Sequence, residues 1–198
     1  MFGPLTDYHS AADEALFRAL NSGGVPVLDA VFSVLTDKWF GIAVGLLFVV
    51  WVAVTKRWGA LRWAAALILA IAVSDFVGFR LLKPLFARLR PCYALPDELV
   101  VQVVGTGRGG ALPSLHAGNL FAFAFVAARA DRRLWIPAYI IAFLVAYSRV
   151  YVGVHWPTDI IAGALWGSLV GWSALRLSGL GEKLILRLSK KQPAEEAG

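Results

Sequence analysis

The sequence predicts an all-α fold, a polytopic integral membrane helical bundle of five main transmembrane helices with one or two short interfacial helices at the N-terminus. Three observations carry that expectation. Hydrophobic residues make up 59% of the 198 residues and charged residues only 16%, against roughly 45–50% and 25% in soluble domains. Five apolar runs recur along the chain, each close to the length that crosses a bilayer. The basic residues stand between those runs rather than on one soluble face. The same composition excludes a disordered chain. It also gives the net charge of +6 a membrane reading rather than a nucleic-acid one.

The elements follow in chain order. The first residues, MFGPLTDYHSAADEALF, lack the basic and apolar regions of a signal peptide, so the internal segments are expected to drive insertion. Ala11–Leu20 places Ala12, Ala15, Leu16, Ala19 and Leu20 on a stripe opposite Asp13, Glu14 and Arg18, which suits an amphipathic helix lying on the membrane as well as a solvated turn. Asn21–Pro26 breaks it with two glycines and a proline. Leu28–Thr36 forms a further short helix or a kinked start to the first span. The spans are then Trp39–Thr55, Leu61–Leu82, Leu115–Ala128, Leu134–Ser148 and Ile160–Leu175. Several are slightly shorter than the ~20 residues a bilayer core needs, so flanking Arg and Lys must snorkel. Trp39, Trp58, Trp63, Trp135 and Trp156 fall near span ends, as interfacial aromatics do. Residues 1–188 read as a single membrane-embedded domain and 189–198 as a polar, disordered cytoplasmic tail.

Charge sets the orientation. Lys56, Arg57 and Arg62, then Arg129, Arg132 and Arg133, then Arg176, Lys183, Arg187, Lys190 and Lys191 all fall on one side, the expected cytoplasmic one. The opposite side is nearly as basic, with Arg18, Lys38, Arg80, Lys83, Arg88, Arg90, Arg108 and Arg149. So many cations on an outer face ask for an anion.

Three blocks on that face carry chemistry. The first is Lys83-Pro84-Leu85-Phe86-Ala87-Arg88-Leu89-Arg90-Pro91. Pro84 suits a first helical turn and Pro91 a helix end. If the stretch between them is helical, Lys83 and Arg90 share a face. Read alone, it is more often a snorkelling helix end. The second is Pro113-Ser114-Leu115-His116, where Ser114 can cap a helix whose free N–H groups favour an anion. A Ser cap beside an unrelated His is an equal reading. The third runs Ser148-Arg149-Val150-Tyr151-Val152-Gly153-Val154-His155-Trp156-Pro157-Thr158-Asp159. Asp159 stands four residues after His155, within reach of one ring nitrogen, which leaves the other free as a nucleophile. One such pair is equally a buried structural bond. Together the blocks supply cations, helix N-termini, a nucleophile and an acid, the inventory of phosphoryl transfer through a phosphohistidine.

The pattern Lys-X6-Arg-Pro, Pro-Ser-X-His, Ser-Arg-X5-His-X3-Asp resembles the three-part signature of the type 2 phosphatidic acid phosphatase superfamily. That group spans lipid phosphate phosphatases, isoprenoid diphosphate phosphatases, glucose-6-phosphatase and vanadate-dependent haloperoxidases. The resemblance covers Lys83–Asp159 by motif and most of the chain by layout. It implies that Lys83, Arg90 and Arg149 bind phosphate oxygens with help from Ser114 and the backbone at Leu115. It implies further that His155 attacks phosphorus while held by Asp159, and that His116 protonates the leaving oxygen. Leu115 stands where the family usually has glycine, which disfavours a positive φ there and puts its amide contact in doubt.

The implied substrate is a lipid phosphomonoester or diphosphate, with undecaprenyl diphosphate first and phosphatidylglycerophosphate, phosphatidic acid and lipid A phosphates behind. Selectivity is expected to reside in loops such as Tyr93–Leu112. A lipid phosphotransferase shares every motif, and a transporter of phosphorylated lipids is disfavoured by the His155–Asp159 pair. The expected location is a bacterial inner membrane with the site facing outward. No cofactor is implied. No metal is implied either, because the third histidine, His9, stands apart and no carboxylates have ligand spacing. The lone Cys92 can form no intrachain disulfide. Asp75 is expected to form a packing ion pair with Arg80, in preference to a place in the site's outer shell.

Overall fold

The structure is a computed structural model that describes residues 4–21, 23–107 and 109–195. The side chains of Trp58, Lys183, Arg187, Lys190 and Lys191, and Arg108 altogether, lie outside what it describes. Its helices are α1 (Ala11–Leu20), α2 (Pro26–Thr36), α3 (Lys38–Lys56), α4 (Ala60–Val77), α5 (Lys83–Phe86), α6 (Pro91–Ala94), α7 (Leu115–Ala130), α8 (Trp135–Tyr151) and α9 (Pro157–Glu195). A π-helical turn at Gly78–Leu82 joins α4 to α5. The chain is an all-helical membrane bundle, as expected. Helix α9 carries on past Ser189, where a polar tail was expected, and 196–198 lie outside the described residues.

Four stretches, Lys38–Lys56, Ala60–Phe86, Arg132–Tyr151 and Pro157–Glu182, are long and apolar enough to span a bilayer. The fifth span, α7, has 16 residues and reaches about 24 Å. It can be short because it is the central helix. Ten of its residues are buried, so neighbours rather than lipid set its surroundings. At the end remote from the three motif blocks, Lys56 pairs with Asp131 at 3.8 Å and Arg62 with Glu182 at 3.5 Å. The basic connections therefore gather on one side, as the charge pattern requires.

Glycine decides how α7 meets α9. Gly163, Gly167 and Gly171 repeat every four residues and form one stripe on α9. A Cβ at Gly167 would overlap the Gly118 carbonyl, and one at Gly163 the Ser114 carbonyl. The two helices thus touch backbone to backbone. That contact brings their N-termini together, and Ser114 N–H donates to the Asp159 carbonyl at 3.0 Å.

The first motif block is not one helix. Pro84 has no N–H to give and sits in a continuous helical run, which the wide π turn just upstream accommodates. The run stops at Ala87, which adopts a left-handed conformation (φ 45°). Residues 87–89 then pair with the N-terminal segment, Thr6 N–H donating to the Ala87 carbonyl and Leu89 N–H to that of Thr6. Pro91 opens α6 rather than ending a helix. Lys83 and Arg90 therefore do not share a helical face; a turn and a strand-like clip bring them together.

Helix α1 keeps its expected bounds but docks by another face. Asp13 and Phe17 are its buried residues, while Leu16 on the apolar stripe is exposed. The acid faces inward because buried donors await it there.

Candidate active site

His155 lies in the short connection between α8 and α9 and is 2% exposed. Its Nδ1 is 3.2 Å from Asp159 Oδ2, and its Nε2 is 3.1 Å from Arg90 Nη1. A guanidinium has only donors and an ionised carboxylate only acceptors. Nδ1 therefore carries the proton and Nε2 presents its lone pair. Burial, foremost, and then the charges of Arg90, Lys83 and Arg149 hold the imidazole's pKa well below its usual value, so it is neutral at pH 7.

Asp159, at the start of α9, is fully buried and saturated. Oδ2 also accepts from Trp156 N–H at 2.9 Å, and Oδ1 accepts from Arg88 Nη1 at 2.8 Å. Arg88 goes further. Its Nη2 donates to Asp13 Oδ2 at 2.5 Å, and its Nη1 to Thr158 Oγ1 at 2.7 Å. Asp13 in turn accepts from the Thr158 amide and hydroxyl at 3.1 and 2.6 Å. One buried guanidinium thus bridges two buried carboxylates and ties α1 to the group that orients His155. The sequence marks Arg88 only as one more outer cation and sets Asp13 opposite the apolar stripe of α1. A cation two positions before the motif arginine was the available signal, but nothing in spacing linked it to Asp13.

The other cations converge from three elements. Lys83, on α5 and 4% exposed, donates to the Gly110 carbonyl at 2.5 Å and sits 3.4 Å from that of Ala111, which fixes the loop before α7. Arg90 Nε donates to the Gly109 carbonyl at 3.1 Å and Nη1 to that of Val154 at 2.9 Å. Burial, above all, lowers the Arg90 pKa. Arg149, near the end of α8, donates through Nη1 to the Thr36 carbonyl and hydroxyl, and its Nε is buried without a partner. Thr36 ends α2 and gave no signal in the sequence.

A cavity of about 950 Å³ opens on Lys83, Arg90, His116, Arg149 and His155 together. The fold therefore brings the predicted cations and both predicted histidines to one chamber. Asp159 stands behind His155 rather than on the wall. Ser114 occupies the N-cap position of α7 but makes no side-chain cap bond, and its buried hydroxyl has no partner. Leu115 opens α7 in ordinary helical conformation, so it needs no positive φ. Its side chain fills the space at Gly78, where a Cβ would overlap Leu115 Cδ2. A glycine in the π turn makes room for a leucine at the motif position. Beyond them an apolar groove runs between α3 and α4 over α7 along Gly41, Gly45, Ile68, Ile71, Leu120 and Phe123, with Asp75 and Asn119 among the polar residues on the cavity wall.

His9 takes no part in this chamber. It stacks on Trp156 at 4.4 Å and bonds Asp7 and Glu14. Cys92 lies next to Pro91 with no disulfide partner.

Neutral imidazole, a cationic chamber and a second histidine are what attack on a phosphoryl group requires. Residues 63–180 match the PAP2 superfamily. The chain is 31% identical to the lipid A 4'-phosphatase of Bacteroides thetaiotaomicron, over 98% of this chain and 88% of that one. It is 34% identical to the putative undecaprenyl-diphosphatase YbjG of Escherichia coli, over 61% of this chain and 60% of that one. Among solved structures, Aquifex aeolicus LpxE superposes with a TM-score of 0.71 at 27% identity, covering 84% of this chain and 96% of the other.

Proposed function

Because this chain belongs to the PAP2 superfamily, we propose that it is a membrane phosphatase that hydrolyses a lipid phosphomonoester of the lipid A type through a phosphohistidine on His155. The observation that carries the reading is the chamber itself. A neutral histidine with its Nε2 lone pair presented and a second histidine line one cavity with three cations, and an aspartate stands behind the first.

Phosphate oxygens take donors from Lys83, Arg90, Arg149, the Ser114 hydroxyl and the N–H groups opening α7. Arg90 then gives up Nε2 for a phosphate oxygen, so substrate binding itself frees the nucleophile. The Nε2–P bond forms as the P–O bond to the lipid breaks, and His116 delivers a proton to the departing oxygen. Water next attacks phosphorus and gives its proton to His116. The Nε2–P bond breaks and inorganic phosphate leaves. Asp159 holds Nδ1–H throughout and offsets the charge that the ring gains. Fixed donors stabilise the charge that spreads over three oxygens in the transition state.

The apolar length of the cavity supports a substrate whose tails remain in lipid while its head group enters. Undecaprenyl diphosphate headed the expected substrates. The greater coverage of the lipid A 4'-phosphatase relative supports the lipid A phosphomonoester instead, with the diphosphate as second reading. The basic connections at the remote end support a cytoplasmic placement there and a site facing outward.

The test is phosphate release from purified protein in detergent, offered lipid A, phosphatidylglycerophosphate, phosphatidic acid and undecaprenyl diphosphate, with His155→Ala beside the wild type. Release from lipid A by the wild type alone is expected. Release from none of the four contradicts the proposal.

A further inference from the structure

The cavity wall carries two carboxylates that the reaction above does not use, Asp37, which caps α3 by accepting from Trp39 N–H, and Asp75. Asp75 lies on α4, eight residues before Lys83 and so roughly 12 Å deeper in the membrane along the helix. It shares a cavity-lining face with Ile68, Ala72 and Phe79. The expected ion pair with Arg80 is not formed among the described residues. Asp75 instead accepts from Asn119 Nδ2 at 2.8 Å. Asn119 is three residues, about one turn, beyond His116 on α7 and lines the same cavity. The pair therefore stands where the cationic chamber gives way to the apolar groove.

Its chemistry leans towards acceptance. Asn119 spends one of its two amide hydrogens on Asp75, and its oxygen is buried and without a partner. An ionised carboxylate offers only acceptors. A carboxylate at this depth is costly and marks a functional site by default. Its charge repels phosphate, so it is not a second phosphate subsite. The carboxylate oxygens and the unpartnered amide oxygen suit an O–H or N–H group.

We propose that Asp75 and Asn119 form a polar subsite one turn below the phosphoryl centre, which binds a hydroxyl or amide N–H that a lipid substrate carries close to its phosphoester. This rests on the phosphatase reading and sharpens it. The subsite selects lipid phosphates that bear such a donor, as acylated amino sugars do, over isoprenyl and diacyl phosphates that have none.

The test compares two lipids that differ by one hydroxyl, lysophosphatidic acid and its 2-deoxy analogue, an acylated propanediol phosphate. Each is hydrolysed in the same micelles by wild type, Asp75→Leu, Asp75→Asn and Asn119→Leu. The readout is the ratio of the two kcat/KM values, which does not depend on how much protein is folded. The wild type is expected to prefer the hydroxyl lipid by at least about tenfold, the scale of one hydrogen bond to a charged group. Either leucine variant brings the ratio close to one, and Asp75→Asn leaves it in between. A wild-type ratio near one, or a ratio that survives the variants, overturns the subsite while leaving the phosphatase reading intact. Hydrolysis of neither lipid, nor of any in the earlier panel, overturns both.

Discussion

Arg90 Nη1 stands 3.1 Å from His155 Nε2, so a guanidinium holds the lone pair proposed to attack phosphorus. The contact fixes the tautomer and, with burial, disfavours the imidazolium. The folded pKa lies below the unfolded value of about 6.5. As pH falls below that value, the unfolded chain gains a proton that the native site resists, and stability declines. Histidine-labelled protein in micelles, with His155→Ala to assign the signal, should show His155 still neutral at pH 6. A midpoint at or above 6.5 would contradict the geometry.

Arg88 acts at one remove, as a positioning residue. Replacing it with Gln leaves Asp13 and Asp159 buried without their shared cation, a loss of about 3–5 kcal/mol by comparison with other broken buried pairs. Thermal melts should shift down clearly and kcat should fall at least tenfold. Arg88→Lys, which keeps the charge and loses the fork, should recover the melt more than the rate. Equal recovery of both would assign Arg88 to stability alone.

The α7–α9 contact makes its own prediction. Gly167→Leu forces a side chain into the Gly118 carbonyl, and overpacking of this kind costs about 1–3 kcal/mol or more. It should also separate Ser114 from Asp159 and reduce activity. Gly181→Leu, on the same helix with open space around it, is the control. Equal behaviour of the two variants would show that the close approach is not needed.

His116 is tested by the leaving group. His116→Ala should slow hydrolysis of an alkyl phosphate by about 10²–10⁴-fold, the range of general acid catalysis. An aryl phosphate, whose oxygen departs without a proton, should suffer much less at the phosphorylation step. Equal losses on both substrates would remove the acid role.

Much of this was legible in the sequence because two periodicities are strong: apolar runs, and short motifs with fixed internal spacing. His155 and Asp159 are four residues apart at a helix start, so their bond is local and readable. Lys83 and Arg90 were legible as partners but not by the right route, since Ala87 breaks the helix that their seven-residue spacing suggested. Asp13, Thr36 and Asn119 were not legible. Each meets its partner across a long stretch of chain, and a polar residue on an amphipathic helix reads as solvated until a buried donor is seen opposite. The stripe Gly163, Gly167, Gly171 was present in the sequence, yet its meaning depends on a facing backbone that only the fold supplies.

The central claim is that phosphorus passes through a bond to His155 Nε2. Purified protein turned over briefly on a ³²P-labelled lipid phosphate and quenched in alkali, where phosphohistidine survives, should carry label that peptide mapping assigns to His155. Label on another residue, or none in a preparation that is releasing phosphate through a rate-limiting second step, would contradict the account.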